Sequence, residues 1–120
     1  MTSTTGAGIW CVQDNGTSFA ACTGWGTNPS IPVPNGTSAE PLLTATAIFF
    51  PSWVSPGDGK IYQINTADGT LHVGSTNNPL TVETGPVTLG GLSSEDWTQL
   101  YVGTSNGRTY RINLSGGNLP

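Results

Sequence analysis

A β-hairpin pattern about Asn106 and Gly107 constrains the fold of this chain more than any other feature. Asn-Gly between alternating hydrophobic residues is typical of a two-residue type I′ turn, in which both central residues need a positive φ angle. Three large hydrophobic residues follow the turn at every second position: Tyr110, Ile112 and Leu114. Residues at this spacing share one face of a strand. The pattern predicts a half-buried antiparallel hairpin.

Two earlier stretches repeat this hairpin pattern. One has its turn at Asp58-Gly59, followed by a Tyr and an Ile at the same distances as after Gly107. A fainter copy has its turn at Asn15-Gly16. Internal repetition of this kind is typical of repeat architecture. We therefore predict a single all-β antiparallel domain over residues 1–120. Its parts are an N-terminal arm at residues 1–7 and three hairpins near residues 8–26, 51–69 and 97–117.

Composition supports an all-β chain and excludes several classes of partner. Seventeen glycines and nine prolines, without a run of strong helix formers, favour many tight turns. Three cationic side chains against seven carboxylates give a net charge of −4, so we expect neither nucleic-acid nor membrane binding. The first residues, MTSTTGA, lack the basic and apolar segments of a secretory signal.

The number of strands is too small for a closed β fold. Three hairpins and two connecting segments give about ten strands, whereas a propeller needs at least four four-stranded blades. A three-fold β-trefoil, with twelve strands, is also out of reach. We expect a propeller-like or trefoil-like fold that is incompletely closed within one chain. Open sheet edges are templates for another strand, so we expect other copies or other structural proteins to cover them.

Two segments of the chain resemble the repeats of β-propellers of the pyrroloquinoline-quinone type. They are Leu100–Gly117 (LYVGTSNGRTYRINLSGG) and Gly59–Leu71 (GKIYQINTADGTL). Each resembles a blade motif in which an Asn/Asp-Gly turn precedes an aromatic-x-hydrophobic strand and a Gly turn. The resemblance implies antiparallel β structure, and it carries over no cofactor chemistry because the acidic metal-binding cluster is absent.

The titratable residues form no catalytic or metal-binding pattern. The single histidine, His72, has no nucleophile or acid nearby in the sequence, so we interpret it as a surface or capping residue. Glu95 and Asp96 would face opposite sides of a strand or be solvated at a turn. One His and two Cys that are not in a CxxC motif are too few for a zinc site. We expect no enzyme activity, no metal and no cofactor.

Aromatic residues are the other candidates for a functional role. Three sets occupy equivalent repeat positions, which favours core packing over a row of ligand contacts: Trp10, Trp53 and Tyr101; Phe19, Tyr62 and Tyr110; Phe49 and Trp97. Trp25 differs because it lies among glycines and takes the place of Asp68 and Gly116 in the other copies. We expect it to be either a sugar-stacking or interface residue or a partly buried core residue. Arg111, on the polar face of its strand, is the second candidate contact residue.

The two cysteines are predicted to be buried thiols rather than a disulfide. A two-residue turn at Asn15-Gly16 places Cys11 opposite Ala20, so that Cys22 is displaced by two positions. Diagonal cross-strand positions are about 7–8 Å apart, and a disulfide requires Cα atoms within about 6.8 Å. A bridge would need a longer turn or a bulge.

Together these features favour a non-enzymatic structural protein of an ordered assembly. The most specific expectation is a virion component, such as a capsid-decorating or tail-associated protein of a bacterial virus. The alternative is a lectin-like, extracellular carbohydrate-binding module whose copies join into a closed β ring and bind glycans.

Overall fold

The computed structural model describes residues 9–25, 39–52 and 57–120, and it forms three antiparallel sheets. The first sheet pairs β1 (Val12–Asp14) with β2 (Phe19–Ala21). The second has the order β3 (Leu42–Leu43), β4 (Ala47–Ser52), β5 (Gly59–Asn65), β6 (Leu80–Glu83). The third has the order β7 (Leu89–Ser93), β8 (Gln99–Thr104), β9 (Thr109–Asn113). None of these sheets closes on itself, so the predicted open, antiparallel all-β fold is confirmed.

The hairpin β8–β9 forms, but its turn is not the predicted type I′ turn. The N–H of Thr104 donates to the carbonyl of Arg108 (2.8 Å), and the N–H of Gly107 donates back to the carbonyl of Thr104 (3.0 Å). The loop is therefore residues 105–107, and only Gly107 has a positive φ (77°). A three-residue loop with glycine in the left-handed region is the next most common hairpin connection. The predicted division of β9 into a buried and an exposed face is confirmed, since Ile112 is buried and Arg111 is exposed.

The other two hairpins have longer loops than the sequence pattern predicts. In β1–β2 the last pair is Asp14 with Phe19, which leaves residues 15–18 as the loop. In β4–β5 the last pair is Ser52 with Lys60, so Asp58-Gly59 is not the turn. Asp58 instead accepts a hydrogen bond from the N–H of Gly85 (2.8 Å). The three hairpins thus form with different loop lengths and registers. Residues at the same distance from the three turn dipeptides in the sequence therefore do not all occupy equivalent positions.

The strands β4 and β5 are buried on both faces. Alternate residues on them enter two different cores: Phe49 and Ile61 pack with the third sheet, whereas Phe50 and Ile64 pack with Trp25. The rings of Phe50 and Tyr62 stack with centroids 5.1 Å apart. The pair β4–β5 therefore forms a middle layer between the third sheet and the hairpin β1–β2. Burial on both faces explains why Ile61 and Ile64, which lie on opposite faces of β5, are both apolar.

Gln63 is a buried polar residue of β5, and its side chain is fully hydrogen-bonded. Its side-chain Nε2 donates to the carbonyl of Gly117 (3.3 Å) and to Oδ1 of Asn118 (3.1 Å). Its Oε1 accepts from the hydroxyl of Ser75 and from the N–H of Leu119 (3.0 Å). A buried amide is tolerated when its donors and acceptors are paired. The Gln63 side chain therefore joins β5 to two irregular segments, residues 71–79 and 115–120.

Two asparagines complete this connection. Asn78 acts like a strand partner: its Oδ1 accepts from the N–H of Gln63 (3.0 Å) and its Nδ2 donates to the carbonyl of Gln63 (2.6 Å). Asn77 donates from Nδ2 to the carbonyl of Pro120 (2.8 Å). The side chain of Leu119 is buried in the larger core. Side-chain amides thus replace a regular ladder along this part of β5.

Cys11 and Cys22 form a disulfide, so the prediction of free thiols is wrong. Their Cα atoms are 5.4 Å apart. The physical reason is the length of the loop. The pair Val12–Ala21 sets a register in which Cys11 lies directly opposite Cys22, because the four residues 15–18 replace the expected two-residue turn.

Replacement of Gln63 by methionine tests the importance of its side-chain contacts. Gln63→Met keeps the length of the side chain but leaves the N–H of Leu119 and the Asn118 amide without their buried partner. We expect a loss of about 2–4 kcal/mol in the free energy of unfolding, because an unpaired buried polar group costs about 1–3 kcal/mol. Gln13→Met on the exposed strand β1 is the matched control, and urea titration measures both. Equal stability of the two variants would contradict this assignment.

Candidate functional site

The two predicted contact residues lie in different environments: Trp25 is buried, and Arg111 is exposed. Trp25 is only 9% exposed, packs with Phe50 and Ile64, and donates from its indole N–H to the carbonyl of Thr66 (2.9 Å). Its ring is therefore part of the core, which is the second of the two roles considered for it, and it presents too little surface to stack on a sugar. Arg111 is exposed on β9, opposite Tyr101 of β8. Its contact role stays a prediction.

Several aromatic residues expected in the core lie at the surface instead. Phe49 is buried as expected. Four others are exposed: Trp10, Phe19, Trp97 and Tyr101. Trp53 lies outside the described residues. Repetition in the sequence indicated shared positions in hairpins, but the hairpins differ in register and in the layers that cover them. These exposed rings identify two candidate sites, a cleft beside Trp97 and an apolar surface on the first hairpin.

The Trp97 cleft has a volume of about 200 Å³ and lies between the second and third sheets. Its wall includes Thr44, Thr46, His72, Trp97, Leu114 and Asn118. No carboxylate, lysine or arginine lines it among the described residues. No pattern in the sequence predicts this cleft, because the fold brings its residues together from separate loops and strands.

Trp97 has a backbone conformation that is unusual for a large side chain. Its φ is 64°, the only positive φ outside glycine among the described residues. Asp96 holds the turn by accepting from the N–H and the hydroxyl of Thr98 (3.0 and 2.6 Å). This arrangement costs on the order of 1–3 kcal/mol in a residue other than glycine. Strain of this kind persists where the surrounding structure fixes it, and it marks candidate functional sites.

A second turn in the same chain has the same geometry with glycine at its centre. Asp68 accepts from the N–H and the hydroxyl of Thr70 (3.0 and 2.7 Å), and Gly69 between them has a φ of 68°. The backbone hydrogen bond from Thr70 lowers the pKa of the Asp68 carboxyl. An Asp-x-Thr turn of this shape is thus made with an unstrained residue elsewhere in the molecule. The tryptophan at position 97 is not needed to form the turn.

His72 is oriented by a chain of hydrogen bonds that starts at Asp68. The Thr70 hydroxyl donates to Asp68, so it accepts from Nδ2 of Asn65 (3.0 Å). Oδ1 of Asn65 then lies 2.7 Å from Nδ1 of His72 and accepts its proton. In the neutral ring, Nε2 is consequently a hydrogen-bond acceptor. It has no partner among the described residues.

Gly74 packs closely against this nitrogen. A Cβ atom at position 74 would lie 2.6 Å from Nε2 of His72 and 3.3 Å from Nδ2 of Asn118. The Oδ1 of Asn118 is already bonded to Gln63, whereas Nδ2 is a free donor among the described residues. One acceptor and one donor therefore lie near the same point, and a side chain at position 74 would displace both.

The second candidate site is an apolar surface on the first hairpin. Trp10, Val12 and Phe19 share its outer face, and Phe19 is 75% exposed. Beside them is a groove of about 290 Å³, lined by Ile9, Trp10, Val12, Trp25, Leu43 and Ile48. We call these residues together the hairpin surface. Such a continuous apolar area on a folded protein marks a binding or association site.

Glu83 is a buried carboxylate, but its contacts are those of a structural ion pair. Its Oε1 accepts from Nδ2 of Asn106 (2.8 Å) and from Nη1 of Arg108 (3.1 Å). The hydrogen bond from Asn106 lowers the pKa of Glu83, with a further contribution from the charge of Arg108. A hydrogen bond with Tyr110, followed by the charge of Glu83, raises the pKa of Arg108. The lowered pKa keeps the Glu83 carboxyl ionised at neutral pH, and its ion pair with Arg108 connects β6 to the β8–β9 turn.

Comparisons with known proteins add no assignment. No protein-family model, no curated protein and no solved structure matches this chain. The likeness to propeller repeats therefore stays a prediction. Within the described ranges, no three His, Cys, Asp or Glu side chains are grouped so that they could hold a metal ion. No helix in the same ranges is long and apolar enough to cross a membrane.

The Glu83 contacts predict a specific dependence of stability on pH. Because the folded pKa of Glu83 lies below its ordinary value of 4.5, ionisation stabilises the fold above that pH. This stabilisation is lost as the pH falls through the folded pKa. Glu83→Gln should lower Tm at pH 7 and weaken the decline of Tm between pH 5 and pH 2. Some decline should remain, because the pKa values of Asp68 and Asp96 are also lowered.

The control for this experiment is Glu95→Gln, at an exposed residue outside the ion pair. Thermal melts of both variants and the unmodified protein across the pH range give the comparison. Parallel Tm curves for Glu83→Gln and the unmodified protein would contradict the assignment.

Proposed function

We propose that this protein is a non-enzymatic structural subunit that associates with copies of itself in an ordered assembly. The observation that carries the proposal is the hairpin surface, which lies on a sheet whose two strands each have only one partner among the described strands. A virion protein, such as a capsid-decorating or tail-associated protein of a bacterial virus, is the specific form of the proposal.

Open sheet edges support association. Among the described strands, β1 and β2 each have one partner, and β3, β6, β7 and β9 are outer strands of their sheets. Such strands offer unpaired N–H and carbonyl groups to a further strand. The β1–β2 hairpin is the most suitable, since a two-stranded sheet is only marginally stable alone and here presents exposed side chains throughout.

Exposed apolar side chains on the same hairpin support association through burial. Trp10, Val12 and Phe19 would each lose contact with water if a neighbour covered the outer face. Burial of apolar area stabilises an interface by about 25 cal/mol per Å². We assign this surface to a second copy of the chain, because antiparallel pairing of two identical edges is self-complementary and gives a closed, two-fold interface.

The disulfide is compatible with this assignment. The bond between Cys11 and Cys22 fixes the hairpin that carries the surface. Disulfides persist in oxidising surroundings, which include virion surfaces and the extracellular space. A preformed hairpin also loses less conformational freedom when it binds.

The native mass and its response to substitution test the proposal. We expect multi-angle light scattering at tens of micromolar to show species larger than the 12.4 kDa of one chain. The double variant Val12→Ser/Phe19→Ser should weaken association at least tenfold, because it removes two apolar contacts from the centre of the interface.

Val73→Ser is the matched control, since Val73 is exposed but lies outside the hairpin surface. It should leave the mass distribution unchanged. A monodisperse monomer at the highest concentration would overturn the proposal, and so would an equal effect of Val73→Ser.

A further inference from the structure

We propose that the Trp97 cleft binds an uncharged sugar unit. This inference is independent of the association proposed above, because it concerns residues outside the hairpin surface. It also differs from the sequence-based expectation of a lectin-like ring, since the aromatic residue is Trp97 and not Trp25.

The first support is the placement of Trp97. Its side chain is 42% exposed and lines the cleft, although its φ of 64° is unfavourable for any large residue. The turn at Asp68 shows that the chain makes this geometry with glycine elsewhere. The strained tryptophan therefore supplies something that the turn does not need, namely an aromatic ring at the mouth of a cleft. Indole rings offer a large, rigid, amphipathic contact surface.

The second support is the polar corner formed by His72 and Asn118. The acceptor Nε2 of His72 and the donor Nδ2 of Asn118 belong to two lining residues of the cleft, and neither atom has a protein partner among the described residues. Neighbouring hydroxyl groups on a sugar ring can satisfy both, because a hydroxyl donates and accepts. The chain from Asp68 through Thr70 and Asn65 holds the His72 ring in place. Such prior orientation reduces the entropic cost of binding.

The third support is the absence of charge from the cleft wall. No described lining residue carries a carboxylate, ammonium or guanidinium group. An anionic ligand would lack a cation there, and a cationic ligand would lack a carboxylate. The volume of about 200 Å³ is below the roughly 300–1,000 Å³ of sites for drug-sized ligands. A single neutral pyranose ring, alone or within a longer glycan, has the matching size and chemistry.

Titration with neutral sugars, followed by NMR, tests this inference. The probes are D-glucose, D-galactose, D-mannose, N-acetyl-D-glucosamine and their linear oligomers. We expect at least one of them to shift the indole N–H signal of Trp97 and the side-chain amide signal of Asn118. A ligand of about twelve non-hydrogen atoms should have a Kd on the order of millimolar.

Two variants remove different parts of the cleft. Trp97→Gly removes the ring and also the cost of a positive φ at this position. It should therefore melt about 4 °C above Trp97→Ala, which also lacks the ring but keeps that cost. Both should lose sugar binding at least tenfold. Gly74→Ala introduces a methyl group against His72 and Asn118 and should cause a similar loss.

The matched controls are Tyr101→Ala, at another exposed aromatic residue, and Gly91→Ala, where an added methyl group meets no atom within 4 Å. Both should bind the sugar as the unmodified protein does, and amide spectra confirm that every variant is folded. The inference is overturned if no probe shifts the Trp97 signal, or if Trp97→Gly and Gly74→Ala bind as tightly as the controls.

Discussion

Gln63 makes four side-chain hydrogen bonds from a strand that is covered on both faces, and these bonds end on Ser75, Asn118, Leu119 and Gly117. None of these partners lies in a named strand. Because an unpaired amide inside a core costs more than a paired one contributes, the side chain and the two segments are stable only together. One of these bonds positions Asn118 on the wall of the Trp97 cleft, and the N–H of His72 donates to the main-chain carbonyl of Gln63 (3.0 Å). Residue 63 therefore holds both polar residues of the candidate site beside β5.

The two candidate surfaces contrast in how they are built. The hairpin surface is apolar, lies on a small sheet with free edges, and is fixed by a disulfide. The Trp97 cleft is lined by both apolar and uncharged polar side chains among the described residues, and it is fixed by hydrogen-bonded turns and a strained backbone. The first arrangement suits association, in which the buried apolar area and strand pairing at the sheet edges contribute most of the binding free energy. The second suits recognition of a small neutral molecule, in which a few oriented donors and acceptors decide the specificity.

Sequence reasoning predicts the fold class well and the details of contact poorly. The Gly and Pro content and the Asn-Gly pattern predict antiparallel β structure with open edges, and the structure confirms it. The turn dipeptides do not determine the length of the loop. The resulting error in register led to the wrong prediction that Cys11 and Cys22 are free thiols. Gln63 gave no signal, because alternation in β5 indicates one buried face, whereas separate layers cover both. Trp97 was expected in the core but is exposed, whereas Trp25 takes the core role that was one of its two alternatives. Burial depends on which layer covers a loop, and the sequence pattern does not contain that information.

Native-state hydrogen exchange tests the central role of Gln63 most directly. The amide N–H of Leu119 donates to Oε1 of Gln63, and the N–H of Gln63 donates to Asn78. If the segments and β5 are stable only together, both amides should exchange through global unfolding, with the same free energy and denaturant dependence as the β4–β5 amides. Exchange of the Leu119 amide through a local opening, much faster than those strand amides and insensitive to denaturant, would contradict the account.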